Sequence, residues 1–280
     1  MAKAQYIGIS GVGRKVKSMP FGVGGVSRNV KSGYVGVGGV ARQFLQGGIL
    51  ASDLLVENTV KINENGVPVE YIVVHSGLPS SIYDSSCNGL WLLRKEIPEN
   101  MRMDVGYTGT KGMYEYSEVD EYLNGTWMDR YDSNVLSAIS QVKIPYRERG
   151  TLGTTKTGAD GLSRKVFLLS AVEIGFVTGN NGIYMPDDGV KLDYFISGVS
   201  ADAIAKRMTN INHSYNGNNF CNWWTRSAPM GLEENGSIIA TSNGTPQQAT
   251  SSGKWGVRPA LIVPFNALFE PGTMILKGVA

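Results

Sequence analysis

The sequence predicts an α+β protein in two parts: short β-hairpin repeats over residues 1–47 and a mixed domain over residues 55–280. Residues 48–54 read as a hinge between them. Three observations lead there. A fourteen-residue unit recurs three times near the start. An Asn65-Gly66 dipeptide sits between two strand-like runs, and every capped helical stretch that follows is short.

The repeat comes first. Arg14, Arg28 and Arg42 are fourteen residues apart, and Gly8, Gly22 and Gly36 keep the same register, as do Val12, Val26 and Val40. Apolar positions alternate with small or basic ones, the period of a half-buried strand. The dipeptides Ser10-Gly11, Gly24-Gly25 and Gly38-Gly39 suit two-residue hairpin turns. Gly36, Gly38 and Ala41 also match a dinucleotide-binding fingerprint, but that loop needs a βαβ unit of about 30 residues. A fourteen-residue hairpin has no room for one. Three small hairpins bury little by themselves, so the block is expected to pack on a partner or on copies of itself. Arg14, Lys17, Phe21, Arg28, Lys31, Tyr34 and Arg42 are the expected attachment residues.

Composition narrows the functional classes. Glycine supplies 36 of 280 residues, about twice its usual ~7% share, which favours tight turns over long helices. A net charge of +2 is too small for a protein held mainly on nucleic-acid phosphates. No apolar run reaches the ~20 residues of a membrane span. The start, MAKAQYIGIS, lacks the apolar stretch of a signal peptide, so synthesis without classical secretion is expected. Cys87 and Cys221 form no metal-binding spacing and are expected to be buried free thiols, with a single disulfide between them as the alternative.

Beyond the hinge, TVKINENGVPVEYIVVHSG reads as two strands around Asn65-Gly66, and GLWLLRKEI as a buried strand. YSEVDEYLNG reads as a helix with Ser117 as N-cap and Asn124-Gly125 as its stop. In DSNVLSAISQV, Val135, Leu136, Ile139 and Val142 would share a helical face. KVFLLSAVEIGF reads as a strand entering a turn capped by Ser170, and SADAIAKRM as a short helix. The remaining strands are FCNWWTRSA, GSIIATSNG and WGVRPALIVP, with Pro259 ending or bending the last at a sheet edge. Trp223 and Trp224 would point to opposite faces of a strand. Arg226 and Arg258 would be partly buried cations tying loops together through bidentate hydrogen bonds.

VFLLSAVEIGF, WWTRSA and GVRPALIVP, in that order, resemble the DUF6273-type domain of bacterial and phage proteins. The resemblance covers roughly residues 55–266. It implies a C-type-lectin-like fold, related in architecture to formylglycine-generating enzymes and to diversified phage receptor binders. IVVHSGLPSSIYDSSCNGLWLLRK and the YIGV-type repeats ahead of the domain also resemble virion proteins of phages infecting Gram-positive hosts. The resemblance further implies that the polar segment between Trp224 and Gly256 carries an exposed binding face. Adaptable polar side chains suit such a face, and Glu233, Asn235, Asn243, Gln247, Gln248 and Trp255 are the expected ligand contacts.

No reacting constellation stands out. His75 reads as a strand-end histidine, and His213 lies in the polar run NINHSYNGNN, expected to be a loop. Glu115, Glu118, Asp120 and Glu121 read as the exposed face of a short helix rather than paired catalytic carboxylates. The copper-binding cysteine pair of formylglycine-generating enzymes is missing from the terminal third, where only Cys221 occurs. MPDDG at 185–189 offers oxygens for a structural calcium, but the signatures of calcium-dependent lectins are absent. The expectation is therefore a non-enzymatic virion protein without cofactor. Its repeats would engage other virion proteins, and its domain a host-surface glycan or protein, in a homo-oligomer such as a trimer. Alternatives are a decoration, head-fibre or tail accessory protein without a receptor, or a wall-polysaccharide-degrading enzyme.

Overall fold

The structure, a computed structural model, describes the backbone of residues 20–23, 26–29, 32–37, 40–46, 48–104, 113–148, 153–215, 218–230 and 236–280. Side chains are described over 48–104, 113–148, 153–209, 220–230 and 236–280. Arg14, Lys17, Lys31, Glu233 and Asn235 lie outside the described residues, and of Phe21, Arg28, Tyr34 and Arg42 only the strand positions are described.

In the N-terminal block, Pro20–Val23 pairs antiparallel with Val26–Asn29, and Ser32–Val37 with Val40–Gln46. Both hairpins close on a Val–Val pair, Val23 opposite Val26 and Val37 opposite Val40. Phe21 faces Arg28 and Val35 faces Arg42, so positions fourteen apart in sequence share one register in the two hairpins.

The rest is mixed α+β and mostly sheet. A central five-stranded sheet runs in the order Val166–Phe167, Ala260–Val263, Gly89–Arg94, Val67–Gly77, Thr59–Glu64, with every neighbour antiparallel. Asn65 and Gly66 take φ of 51° and 76° between the last two in space, the left-handed pair that a two-residue hairpin demands. Gly89–Arg94 is apolar at consecutive positions because the sheet is covered on both faces. Val73, Leu90, Leu92 and Leu261 join one core, and Val74, Trp91, Leu93 and Ile262 the other. The helices Glu118–Leu123 and Ser133–Ala138 cover the first face.

A second five-stranded sheet has the order Pro246–Thr250, Gly236–Ala240, Trp223–Trp224, Lys254–Gly256, Asn100–Arg102. Trp224 enters the first core and Trp223 the second, the opposite-face placement that strand geometry requires. Ser117 accepts a hydrogen bond from the Asp120 amide and Ser200 one from the Ala203 amide, capping Glu118–Leu123 and Ala201–Arg207. Cys87 and Cys221 are buried and unpaired.

Several expectations need correction. Ile49–Leu50 pairs with Ala267–Phe269, and Ala51 is fully buried, so the expected hinge at 48–54 is already part of the folded domain. Pro259 lies between two strands that belong to different sheets, Lys254–Gly256 and Ala260–Val263, and the latter is interior rather than an edge. The helix Ser133–Ala138 stops before Ile139, and Val142 starts a strand instead of extending the helical face. Asn210–Tyr215 and Asn218–Phe220 pair as a hairpin where a polar loop including His213 was expected.

Candidate functional site

Two arginine-centred sites emerge, one closed and one open. The closed site is organised by the turn after Leu168-Leu169. Ser170 Oγ accepts from the Glu173 amide, and Glu173 Oε2 accepts from the Ser170 amide, a reciprocal cap that fixes the glutamate. Arg226, two residues past the Trp223-Trp224 strand, meets this carboxylate with both terminal nitrogens, at 2.6 and 2.5 Å. Both side chains are fully shielded from solvent. The guanidinium also donates to the carbonyls of Pro145, Leu168 and Asp188, so all its nitrogens are satisfied.

Around this pair, Tyr83 donates to Glu173 Oε1 at 2.7 Å, and Ser227 donates to Asp188 Oδ2 at 2.7 Å. Asp188 Oδ1 is buried without a partner, and burial pushes this carboxyl up to about 6. Burial and then the Glu173 charge push the nearby Cys87 thiol up to about 12, the reverse of what activates a nucleophile. Gly189 packs where a Cβ would come within 2.5 Å of Ser170 Oγ, so the segment of MPDDG is pressed onto the pair. Asp188 therefore serves this network, and the Asp187 carboxylate accepts a hydrogen bond from Thr155. Among the described residues, no three His, Cys, Asp or Glu side chains converge as a metal site.

The open site is a cleft of about 320 Å³. Glu70 and Ile72 come from Val67–Gly77, and Lys95 and Glu96 follow the neighbouring strand Gly89–Arg94. Tyr194, Met208, Thr209 and Phe220 also line it, Thr209 donating to the Lys95 carbonyl at 2.5 Å, and Arg258 completes the lining from the link between the two sheets. Lys95 and Glu70 form a 2.8 Å ion pair, and that hydrogen bond holds the Glu70 carboxyl below its usual range. Phe220 is 44% exposed, so its ring is accessible from solvent.

Arg258 is only 4% exposed. Its Nε donates to the Arg94 carbonyl at 2.9 Å, and its guanidinium lies over the Trp223 ring, 5.1 Å from the centroid. Its Nη1 is buried and has no hydrogen-bond partner, and among the described residues no carboxylate lies within ion-pair distance. Burial lowers its pKa to about 10, which leaves it charged at neutral pH. The expectation of bidentate loop-tying holds in part: Arg226 does this while wholly buried, whereas Arg258 makes one backbone bond and keeps an unused donor.

The expected ligand residues do not gather in this cleft. The segment after Trp224 contains the hairpin Gly236–Ala240 with Pro246–Thr250, so much of it is sheet rather than loop. Asn243 and Gln247 are exposed, Gln248 is half-buried, and Trp255 packs against the first core. Gln247 and Gln248 are successive strand residues and point to opposite faces. The acidic helix is corrected as well: Asp120 is 2% exposed and receives a bidentate Arg164, with Nε 2.8 Å from Oδ1. His75 is buried edge-on to Trp91, with Nδ1 2.7 Å from Asp193 Oδ2 in a contact too poorly aligned for a hydrogen bond.

What this architecture defines is an α+β domain built around two five-stranded sheets, with a closed site at the buried Arg226–Glu173 pair and an open one beside the buried Arg258. The DUF6273 family, described as a domain of unknown function, matches residues 88–265. The chain belongs to that family. Arg226, Glu173 and Arg258 all fall within the matched span, and Glu70 and Ile72 of the cleft lie ahead of it. Neither the curated proteins nor the solved structures contain a match.

Proposed function

We propose that this chain is a bacteriophage structural protein that displays its DUF6273 domain for recognition of the host surface. The observation that carries the reading is the chain's division of labour. Two hairpins of matching register precede a domain with its own two cores, and that domain has a cleft with an unsatisfied buried donor. Small hairpins need a surface to pack on, which suits an attachment segment on a particle. A rigid scaffold with an open cleft suits a binding head. The resemblance of the repeats and of the motifs VFLLSAVEIGF, WWTRSA and GVRPALIVP to phage virion proteins supports the same assignment. A C-type-lectin-like fold is part of this proposal, as are virion localisation, self-association, and work without cofactor or catalysis.

The test is binding of the full-length purified protein to intact Gram-positive cells and to their isolated walls, across a panel of strains. The reading predicts saturable binding to at least one strain and competition with phage adsorption there. Binding to no strain by a folded, oligomeric sample contradicts it. Loss of particle integrity with normal adsorption, on deleting the protein, would favour a decoration role instead.

A further inference from the structure

We infer that the Arg258 cleft takes a ring-sized polyhydroxylated ligand bearing a single carboxylate, that is, an acidic sugar unit. This deepens the binding role proposed above and rests on it. The argument starts from a donor without an acceptor. Buried polar groups are nearly always paired, because leaving one unpaired costs about 1–3 kcal/mol, and more when charged. Arg258 Nη1 is unpaired although the side chain is 4% exposed and lines an open cleft. The other three arginines that are equally buried among the described residues meet either a carboxylate or several carbonyls. Arg226 has Glu173, Arg94 has Glu64, and Arg207 donates to Ile174, Gly175, Ile196, Gly198 and Gly244. Among the described residues, Arg258 therefore holds a positive charge with one carbonyl partner, in a side chain that lines the cleft.

Shape and charge at the rim narrow the occupant. The cleft's volume of about 320 Å³ sits at the small end of ligand pockets, ~300–1,000 Å³, enough for one ring rather than a long chain. The exposed Phe220 offers flat apolar surface to a ring, beside Tyr194, whose ring carries Lys206 Nζ 4.3 Å from its centroid. Glu70 and Glu96 share the lining with Lys95, and Lys95 is already paired with Glu70. A polyanion would bring further negative charge against those carboxylates. A ligand with one carboxylate for Arg258 and hydroxyls for the rim brings a single charge and meets less of that repulsion, and its hydroxyls can donate to Glu70 and Glu96.

The test uses the full-length protein with sodium glucuronate, glucose and inorganic phosphate as probes, followed by titration calorimetry or ligand-observed NMR. Saturable glucuronate binding is expected, at least about tenfold tighter than glucose, as a charge-assisted bond to a buried guanidinium implies. Arg258→Gln should remove that preference for glucuronate. If this variant unfolds, the surface change Phe220→Ala should weaken glucuronate at least about threefold with the thermal midpoint unchanged. Glucuronate and glucose binding equally, phosphate binding as tightly as glucuronate, or no binding by any probe overturns the acidic-sugar assignment. Wall binding that is equal in wild type and Phe220→Ala also overturns it while leaving the host-recognition role standing. Absence of wall binding together with glucuronate binding defeats that role and leaves the cleft's chemistry intact.

Discussion

Arg226 carries a full charge in a site closed to solvent, and the Glu173 carboxylate together with three backbone carbonyls makes that tolerable. Removing one partner leaves the other charged and buried, so Glu173→Ala should lower stability by about 3–5 kcal/mol in urea unfolding. Replacing both by methionine should recover part of that loss. Asp188 supplies a pH signature. Its folded pKa is raised to about 6, above its ordinary 3.8, so its favourable contribution is complete below 3.8 and lost as pH rises through 6. Two units correspond to about 3 kcal/mol, and Asp188→Asn should therefore be more stable than wild type at pH 7.5 by up to that amount. The difference should shrink as pH falls to 4.5. A pH-independent difference would place the shift elsewhere. Single residues of this kind were only half legible in sequence: VFLLSAVEIGF and WWTRSA marked Glu173 and Arg226 as motif members, but nothing local states that they meet 53 residues apart.

At the scale of elements, the features legible in sequence were those written in local chemistry. Asn65-Gly66 demanded a tight hairpin, Ser117 and Ser200 capped their helices, and Trp223-Trp224 divided themselves between two faces. Elements defined by distant partners were misread. WGVRPALIVP looks like one strand, yet its two halves pair with Asn100–Arg102 and with Gly89–Arg94, in different sheets. The turn Ala171–Gly175 is the next point of control. Gly175 has φ of +84°, and a Cβ there would lie 2.4 Å from the Ile196 carbonyl oxygen, which Arg207 uses. Gly175→Ala should cost more than about 1–2 kcal/mol and loosen the carbonyl cage around Arg207. Hydrogen exchange should show this as lost protection in the backbone amides of Ile174–Gly198.

At the scale of the whole molecule, the domain boundary depends on strand pairing that composition does not reveal. LQGGILASD reads as a flexible link because it is small and polar around Gly47-Gly48. Ile49–Leu50 nevertheless bonds to Ala267–Phe269 near the other end of the chain, and Gly48 packs against Leu268. A chain beginning at Gly48 should thus unfold in one cooperative step at the full-length midpoint. One beginning at Leu55 should melt at least about 4 °C lower, having lost a strand and the buried Ala51. The cleft shows the same limit of sequence reading. Its walls come from separate stretches between Glu70 and Arg258, with no shared spacing, so only the fold assembles them. The polar segment after Trp224, which looked like the binding face, is instead largely a packed hairpin.

We propose that the N-terminal hairpins hold the protein on a phage particle while the DUF6273 domain faces outward. The decisive experiment is cryo-electron microscopy of intact particles, with residues 20–46 located in the density. The account predicts hairpins packed against another virion protein and residues 49–280 projecting from the surface with the Arg258 cleft open to solvent. Particles that lack the protein, or that bury the cleft against the capsid or tail, would contradict it.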